Sequence, residues 1–130
     1  MNILICTDYY FPSVGGQQIV LKEIAERLVK LKHTVTIATS KMDNRTSILH
    51  NRVNIKEFDI QGSFVHGITG KVKDYQDYVM SNNFDSIMIK AAQGWTIDAL
   101  IPVLNKIKSR KVFIPCGFSA LYDKHYKEYY

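Results

Sequence analysis

Cysteine is scarce in this chain, with only Cys6 and Cys116 among 130 residues, and no C-x-x-C pair. That excludes a disulfide scaffold and a zinc ribbon. Both thiols fall at the ends of apolar runs, so small buried thiols in a reducing compartment are expected. The four histidines, His33, His50, His66 and His125, share no metal-ligand spacing with another histidine, cysteine or acid. No metal or cofactor is expected, and of the four only His66 stays open as a functional residue. No apolar run approaches the roughly 20 residues that span a bilayer. The N-terminal apolar run is short, has no charged lead and ends at Asp8. It predicts a strand rather than a signal peptide, and a cytoplasmic protein. The chain also lacks G-x-G-x-x-G, a Walker A loop and G-x-S-x-G. It has no internal repeat, low-complexity stretch or internal domain boundary.

What is present is an ordinary globular composition, 46% hydrophobic and 22% charged, which predicts one folded domain over residues 1–130. The net charge is +5. The densest basic run is Lys106, Lys108, Arg110 and Lys111, at a predicted helix end, where cations complement the dipole. No nucleic-acid motif accompanies it, so no nucleic-acid partner is expected.

The hydrophobic pattern alternates between strands and helices. The continuous apolar run at 2–7 predicts a strand covered on both faces, and further strands are expected at 35–39, 53–58, 86–91 and 111–115. Val20, Leu21, Ile24, Ala25, Leu28 and Leu31 make one face of a helix over 16–31. A second helix is expected over 71–81, with Val72, Tyr75, Val79 and Tyr78 inward. A third is expected over 96–108, with Pro102 as a kink point. Residues 40–52 are polar, and 61–70 carry Gly62, Gly67 and Gly70. Both stretches are expected as loops. Phe118, Tyr122, Tyr126 and Tyr130 recur at helical spacing in a last helix from Ser119, with Tyr129 alongside. Together these predict an α/β fold with a doubly wound, mostly parallel, Rossmann-like sheet of about five strands.

Ligands in such sheets bind outside the carboxyl ends of the strands. Gly15 and Gly16 lie between the first strand and the first helix. They either let a phosphate or sugar hydroxyl approach the helix N-terminus, or simply make a tight turn. Gln17 and Gln18 either reach a sugar hydroxyl or are solvated first-turn residues. Asp8 either binds a ligand or metal or braces the loop, and the brace is preferred. Gln93 can hydrogen-bond a polar ligand. Trp95 either floors a sugar or, preferably, packs into the domain. Gly117 follows the fifth strand.

The segment Asn2-Ile3-Leu4-Ile5-Cys6-Thr7-Asp8-Tyr9-Tyr10-Phe11-Pro12-Ser13-Val14-Gly15-Gly16 resembles the opening of nucleotide-sugar-dependent glycosyltransferases of the retaining family four. His33-Thr34-Val35-Thr36-Ile37-Ala38-Thr39 is similar to that family's second strand, Asp85 to Ile89 to its fourth, and Gln93-Gly94-Trp95 to the loop that follows. The resemblance covers essentially the whole chain. It implies the N-terminal, acceptor-side domain of a two-domain enzyme of the B-type fold. Its activity would move a sugar from a nucleotide-sugar to a glycan or lipid-linked acceptor, in cell-envelope polysaccharide synthesis. The nucleotide-sugar would be substrate and not cofactor. The donor-binding C-terminal domain, with its paired glutamates, would be a missing partner, and the 130-residue domain alone would be inactive. Contact with the membrane surface is compatible with such a role. Gly15, Gly16, Gln17, Gln18, Gln93, Trp95 and Gly117 would line the donor and acceptor site. Gln18, Gln93, Cys116 and Lys32 depart from the family's common Glu, His, His and Gly, and no catalytic base is assigned. The alternatives are a receiver-like module, with Asp59 as phosphoacceptor, or a small α/β ligand-binding module without transferase activity.

Overall fold

A computed structural model of the chain describes residues 1–81, 83–116 and 124. Gly117, His125 and, apart from residue 124, the expected aromatic helix from Ser119, with Phe118, Tyr122, Tyr126, Tyr129 and Tyr130, lie outside the described residues. The chain is α/β, with a mixed six-stranded sheet and a small antiparallel one.

The elements run β1 (Asn2–Cys6), α1 (Gly16–Lys30), β2 (Thr34–Ser40), β3 (Leu49–His50), β4 (Val53–Phe58), β5 (Ile60–Ser63), β6 (Gly67–Gly70), α2 (Val72–Ser81), β7 (Ser86–Lys90), α3 (Trp95–Asp98), a 3-10 segment (Ile101–Lys106) and β8 (Arg110–Ile114). The large sheet has the order β3-β4-β2-β1-β7-β8. Its pairings are parallel except for β3 against β4, where Leu49 faces Asn54 and His50 faces Val53.

The central strands β1, β2 and β7 are buried on both faces of the sheet, whereas β4 alternates buried and exposed residues and β8 is largely exposed. On one face Ile3, Ile5, Val35, Ile37, Val53 and Ile55 pack against Tyr10 and against Leu21, Ala25 and Val29 of α1. On the other, Leu4, Cys6, Ile87 and Ile89 pack against Tyr75 and Val79 of α2 and against Trp95, Ile97 and Leu100. Helix α1 is supported outside by the i,i+4 pairs Lys22–Glu26 and Glu23–Arg27. It ends in a Schellman turn: the N–H groups of Lys32 and His33 donate to the carbonyls of Val29 and Leu28. Lys32 sits there at φ 68°, the left-handed conformation that usually selects glycine.

Several expectations are corrected. The large sheet has six strands where about five are expected, and a separate two-stranded sheet adds two more among the described residues. Residues 61–70 are not a loop but mostly the hairpin β5–β6, with Ile60 opposite Gly70 and Ser63 opposite Gly67. Its glycines serve the pairing: at Gly62 and Gly70 φ is positive, and a Cβ would fall 1.9–2.0 Å from the carbonyl oxygens of Gly67 and Asp59. The 40–52 stretch contains the edge strand β3. The third helix is split. It stops at Asp98, and a 3-10 segment starts at Ile101 with Pro102 in its first turn; proline has no N–H for the Asp98 carbonyl and its ring crowds that carbonyl, so the α-helix cannot run on. Val20 and Leu31 do not belong to the buried face of α1; both are exposed. Cys6 is buried as expected, whereas Cys116 is exposed.

Candidate functional site

Two clefts meet at the carboxyl end of β1. The larger, of about 310 Å³, is lined by Asp8, Tyr9, Ser40, Lys41, Phe58, Asp59, Ile60, Gln61, Gly62 and Trp95. The smaller, of about 190 Å³, is lined by Thr7, Asp8, Tyr9, Gln17, Gln18 and Ala91. Asp8 and Tyr9 form the ridge between them.

Helix α1 opens at the smaller cleft. Gly15 is its N-cap, in extended backbone, with no side-chain cap, and the first turn holds no acid. The first N–H groups of a helix have no partner within it, and here the N-cap residue supplies no side-chain bond to them. Ile19 is the first to donate back, to the Gly15 carbonyl. A Cβ at Gly16 would meet nothing within 4 Å. Gly16 has no positive φ either. Nothing inside the fold therefore requires a glycine at position 16. At Gly15 a Cβ would come 2.6 Å from Gln18 Oε1, the far end of a flexible side chain. The Gln18 amide in turn donates to Ser13 Oγ at 3.3 Å.

Asp8 is held from several sides. Its backbone carbonyl accepts the Ser40 N–H at 3.1 Å and the Thr39 hydroxyl at 3.2 Å. Its Oδ1 accepts the Thr96 hydroxyl at 2.9 Å and the Thr96 N–H at 3.3 Å. Its carboxylate lies against Gly94, where a Cβ would fall 2.4 Å from Oδ2. Asp8 therefore braces the loop, as the sequence suggests, and also faces both clefts. Burial raises its carboxyl above the ordinary value of 3.8; the bonds from Thr96 oppose that rise and the charge of Asp98 adds to it. A carboxyl whose folded pKa is raised stabilises the fold at low pH and loses that contribution as pH rises through the folded value. Asp8→Asn keeps an oxygen for Thr96 and has no charge to bury. It should raise the melting temperature at neutral pH, and the gain should vanish as pH falls below 3.8. Thermal melts of both proteins across pH check this; a gain that persists in acid would contradict it.

The expected site residues separate. Gln17 and Gln18 line the smaller cleft beside Gly15 and Gly16. Trp95 is 2% exposed. Its Nε1 donates to Ser40 Oγ at 2.8 Å, and its ring stands edge-on to Tyr75 at 5.0 Å. It is a wall of the larger cleft rather than a free stacking floor. Gln93 turns the chain before α3 at φ 65° and is half-buried; it lines neither cleft. Gly117 lies outside the described residues. Sequence patterning does not single out Tyr9, Ser40, Lys41 and Gln61 as cleft residues; the signal for the first three is position, in segments at or just beyond the carboxyl ends of β1 and β2. His66 sits in the β5–β6 turn, its N–H on Ser63 Oγ at 3.3 Å.

Among the described residues no group of three or more histidines, cysteines or acids could hold a metal, and no helix is long and apolar enough to cross a membrane. Neither the family models nor the curated proteins contain a match to this chain.

Proposed function

We propose that the chain is the acceptor-side domain of a retaining glycosyltransferase, with a doubly wound, Rossmann-like sheet, and that the paired clefts hold the reacting ends of a nucleotide-sugar and a hydroxylated acceptor. The observation that carries this reading is Gly16: a helix start without a cap, without an acid and with open space where a side chain would be. Backbone N–H groups and the helix dipole favour a phosphate there. The adjoining cleft offers what a sugar hydroxyl needs, a mixture of carboxylate, hydroxyl, amide and ammonium groups in Asp8, Asp59, Ser40, Gln61 and Lys41.

The sheet order supports the same reading. From β1, the strands β2 and β4 lie to one side and β7 and β8 to the other. The order therefore reverses at β1, beside both clefts, where ligands of open α/β sheets bind. A receiver-type sheet would set its third main strand next to the first. Here β4 lies beyond β2, which disfavours the receiver alternative.

In the proposed reaction Gly15 and Gly16 present N–H groups to the leaving diphosphate, and the larger cleft positions the acceptor. The donor's nucleoside would rest on a second domain, so the 130-residue chain would bind weakly and turn nothing over.

The test is Gly16→Ala. Removing a glycine from a helix stabilises by up to about 1 kcal/mol when nothing obstructs the methyl. The melting temperature should hold or rise, while affinity for a nucleoside-diphosphate sugar falls at least tenfold in calorimetry, because the methyl fills the anion's approach. Unchanged affinity would mean that Gly16 is only part of a turn.

A further inference from the structure

Strands β7 and β8 end side by side, with Lys90 paired to Ile114 in register. Two residues beyond Ile114 the chain turns back at Cys116, where φ is 57°. The turn brings Cys116 Sγ to 3.0 Å from Lys90 Nζ. The two groups sit in opposite environments. Lys90 is 7% exposed, and among the described residues Sγ is the ammonium's one hydrogen-bond partner. Cys116 is exposed, and its S–H donates to the Ile114 carbonyl at 3.3 Å, which turns the sulfur's lone pairs toward the lysine. A sulfur is a soft acceptor for a buried ammonium and compensates it less than an oxygen does. An accessible sulfur with a cation at its side is the kind that oxidants reach first.

We propose that Cys116 and Lys90 form a peroxide-responsive pair that closes into a covalent sulfur–nitrogen cross-link. In the first step the sulfur attacks hydrogen peroxide. An S–O bond forms and the O–O bond breaks. Sulfur loses two electrons to the peroxide, and the second oxygen leaves as water, giving the sulfenic acid. In the second step Lys90 gives one proton to solvent, and the amine lone pair attacks Sγ. An S–N bond forms, the S–O bond breaks, and the hydroxyl departs as water with a second proton from nitrogen. The thiol proton goes to the water of the first step; one peroxide is consumed, two waters and the ammonium's proton are released, and the neutral mass of the protein falls by two hydrogens. A small-molecule thiol reverses the step by reducing the S–N bond. The link would tie together the ends of β7 and β8, next to Ala91 at the rim of the smaller cleft. Cys6 takes no part. It is fully buried, and burial pushes its thiol up to about 12 against a hydrogen bond with Tyr75.

The test treats the 130-residue chain with hydrogen peroxide and follows intact and peptide masses. The expected product has lost two hydrogens, joins the Lys90 and Cys116 peptides, and returns to the starting mass with dithiothreitol. Cys6→Ala should give the same cross-link, whereas a Cys6–Cys116 disulfide, which loses the same two hydrogens, would disappear in that variant. Lys90→Arg keeps a cation beside the sulfur and should stop at the sulfenic acid, which dimedone labels. Cys116→Ser should show no change. Direct passage of the wild type to sulfinic acid, a disulfide-linked dimer, a link to another lysine, or no change in mass would each overturn the proposal.

Discussion

Replacing Arg45 by alanine should destabilise the protein by about 3 kcal/mol, the low end of the range for removing one partner of a buried ion pair, because the Glu57 side chain is 25% exposed. The Arg45 side chain is 1% exposed and paired with Glu57. Its Nε donates to the Phe11 carbonyl at 2.8 Å, and Nη1 donates to the Ser40 carbonyl at 3.0 Å as well as to Glu57. Nη2 reaches the Tyr10 carbonyl at 3.3 Å. One guanidinium thus ties the loop before α1 to the end of β2 and to β4. Alanine would take a donor from three carbonyls and a carboxylate together, leaving the Tyr10 carbonyl with the Ser13 N–H and Glu57 with the Met42 N–H. Arg45→Lys should recover less than half of the loss, because an ammonium cannot reproduce the fork. Urea unfolding of the three proteins decides it. A loss under about 1 kcal/mol for alanine, the range of exposed pairs, would show that the pair is solvated and not structural.

Gly94→Ala should cost about 1–3 kcal/mol, as an atom forced into a packed site does. Gly94 is buried and extended, at φ −127°, so backbone strain is not the cause. The new methyl would meet the Asp8 carboxylate, 2.4 Å from Oδ2 and 2.9 Å from Cγ and Oδ1. That carboxylate cannot swing away without leaving the hydroxyl and N–H of Thr96. The cost should therefore depend on Asp8. In a double-mutant cycle, Gly94→Ala in an Asp8→Gly background should be nearly neutral. Additive losses would place the obstruction elsewhere.

The parts of the fold that were legible from sequence are those where one period dominates. The strand at Val53–Phe58 matches its expected bounds, and α1 differs by one residue, because an alternation of buried Val53, Ile55 and Phe58 with exposed Asn54 and Lys56, and a 3.6-residue stripe in the helix, leave plain patterns. The hairpin β5–β6 was hidden by the glycines that allow it. Its pairing needs positive φ at Gly62 and Gly70, and glycine-rich stretches ordinarily read as loops. The region after Gly94 carries a helical stripe, yet Pro102 breaks it into an α-turn and a 3-10 segment. At the site, Gly15 and Gly16 stood out because their meaning is local. The Asp8–Thr96–Gly94 contact did not, since it joins positions 88 residues apart. Arg45 was invisible for the same reason: its partners lie on three elements, and its own segment has no period.

The central claim is that the uncapped start of α1 receives an anionic ligand. Amide chemical shifts of the labelled 130-residue chain, titrated with nucleoside-diphosphate sugars and separately with neutral oligosaccharides, test it most directly. The account predicts that the diphosphate sugar moves the amides of Gly16, Gln17 and Gln18, that the oligosaccharide moves those of Ser40, Lys41 and Gln61, and that Gly16→Ala abolishes the first set while sparing the second. Shifts confined to other surfaces, or a diphosphate response unchanged by Gly16→Ala, would contradict it.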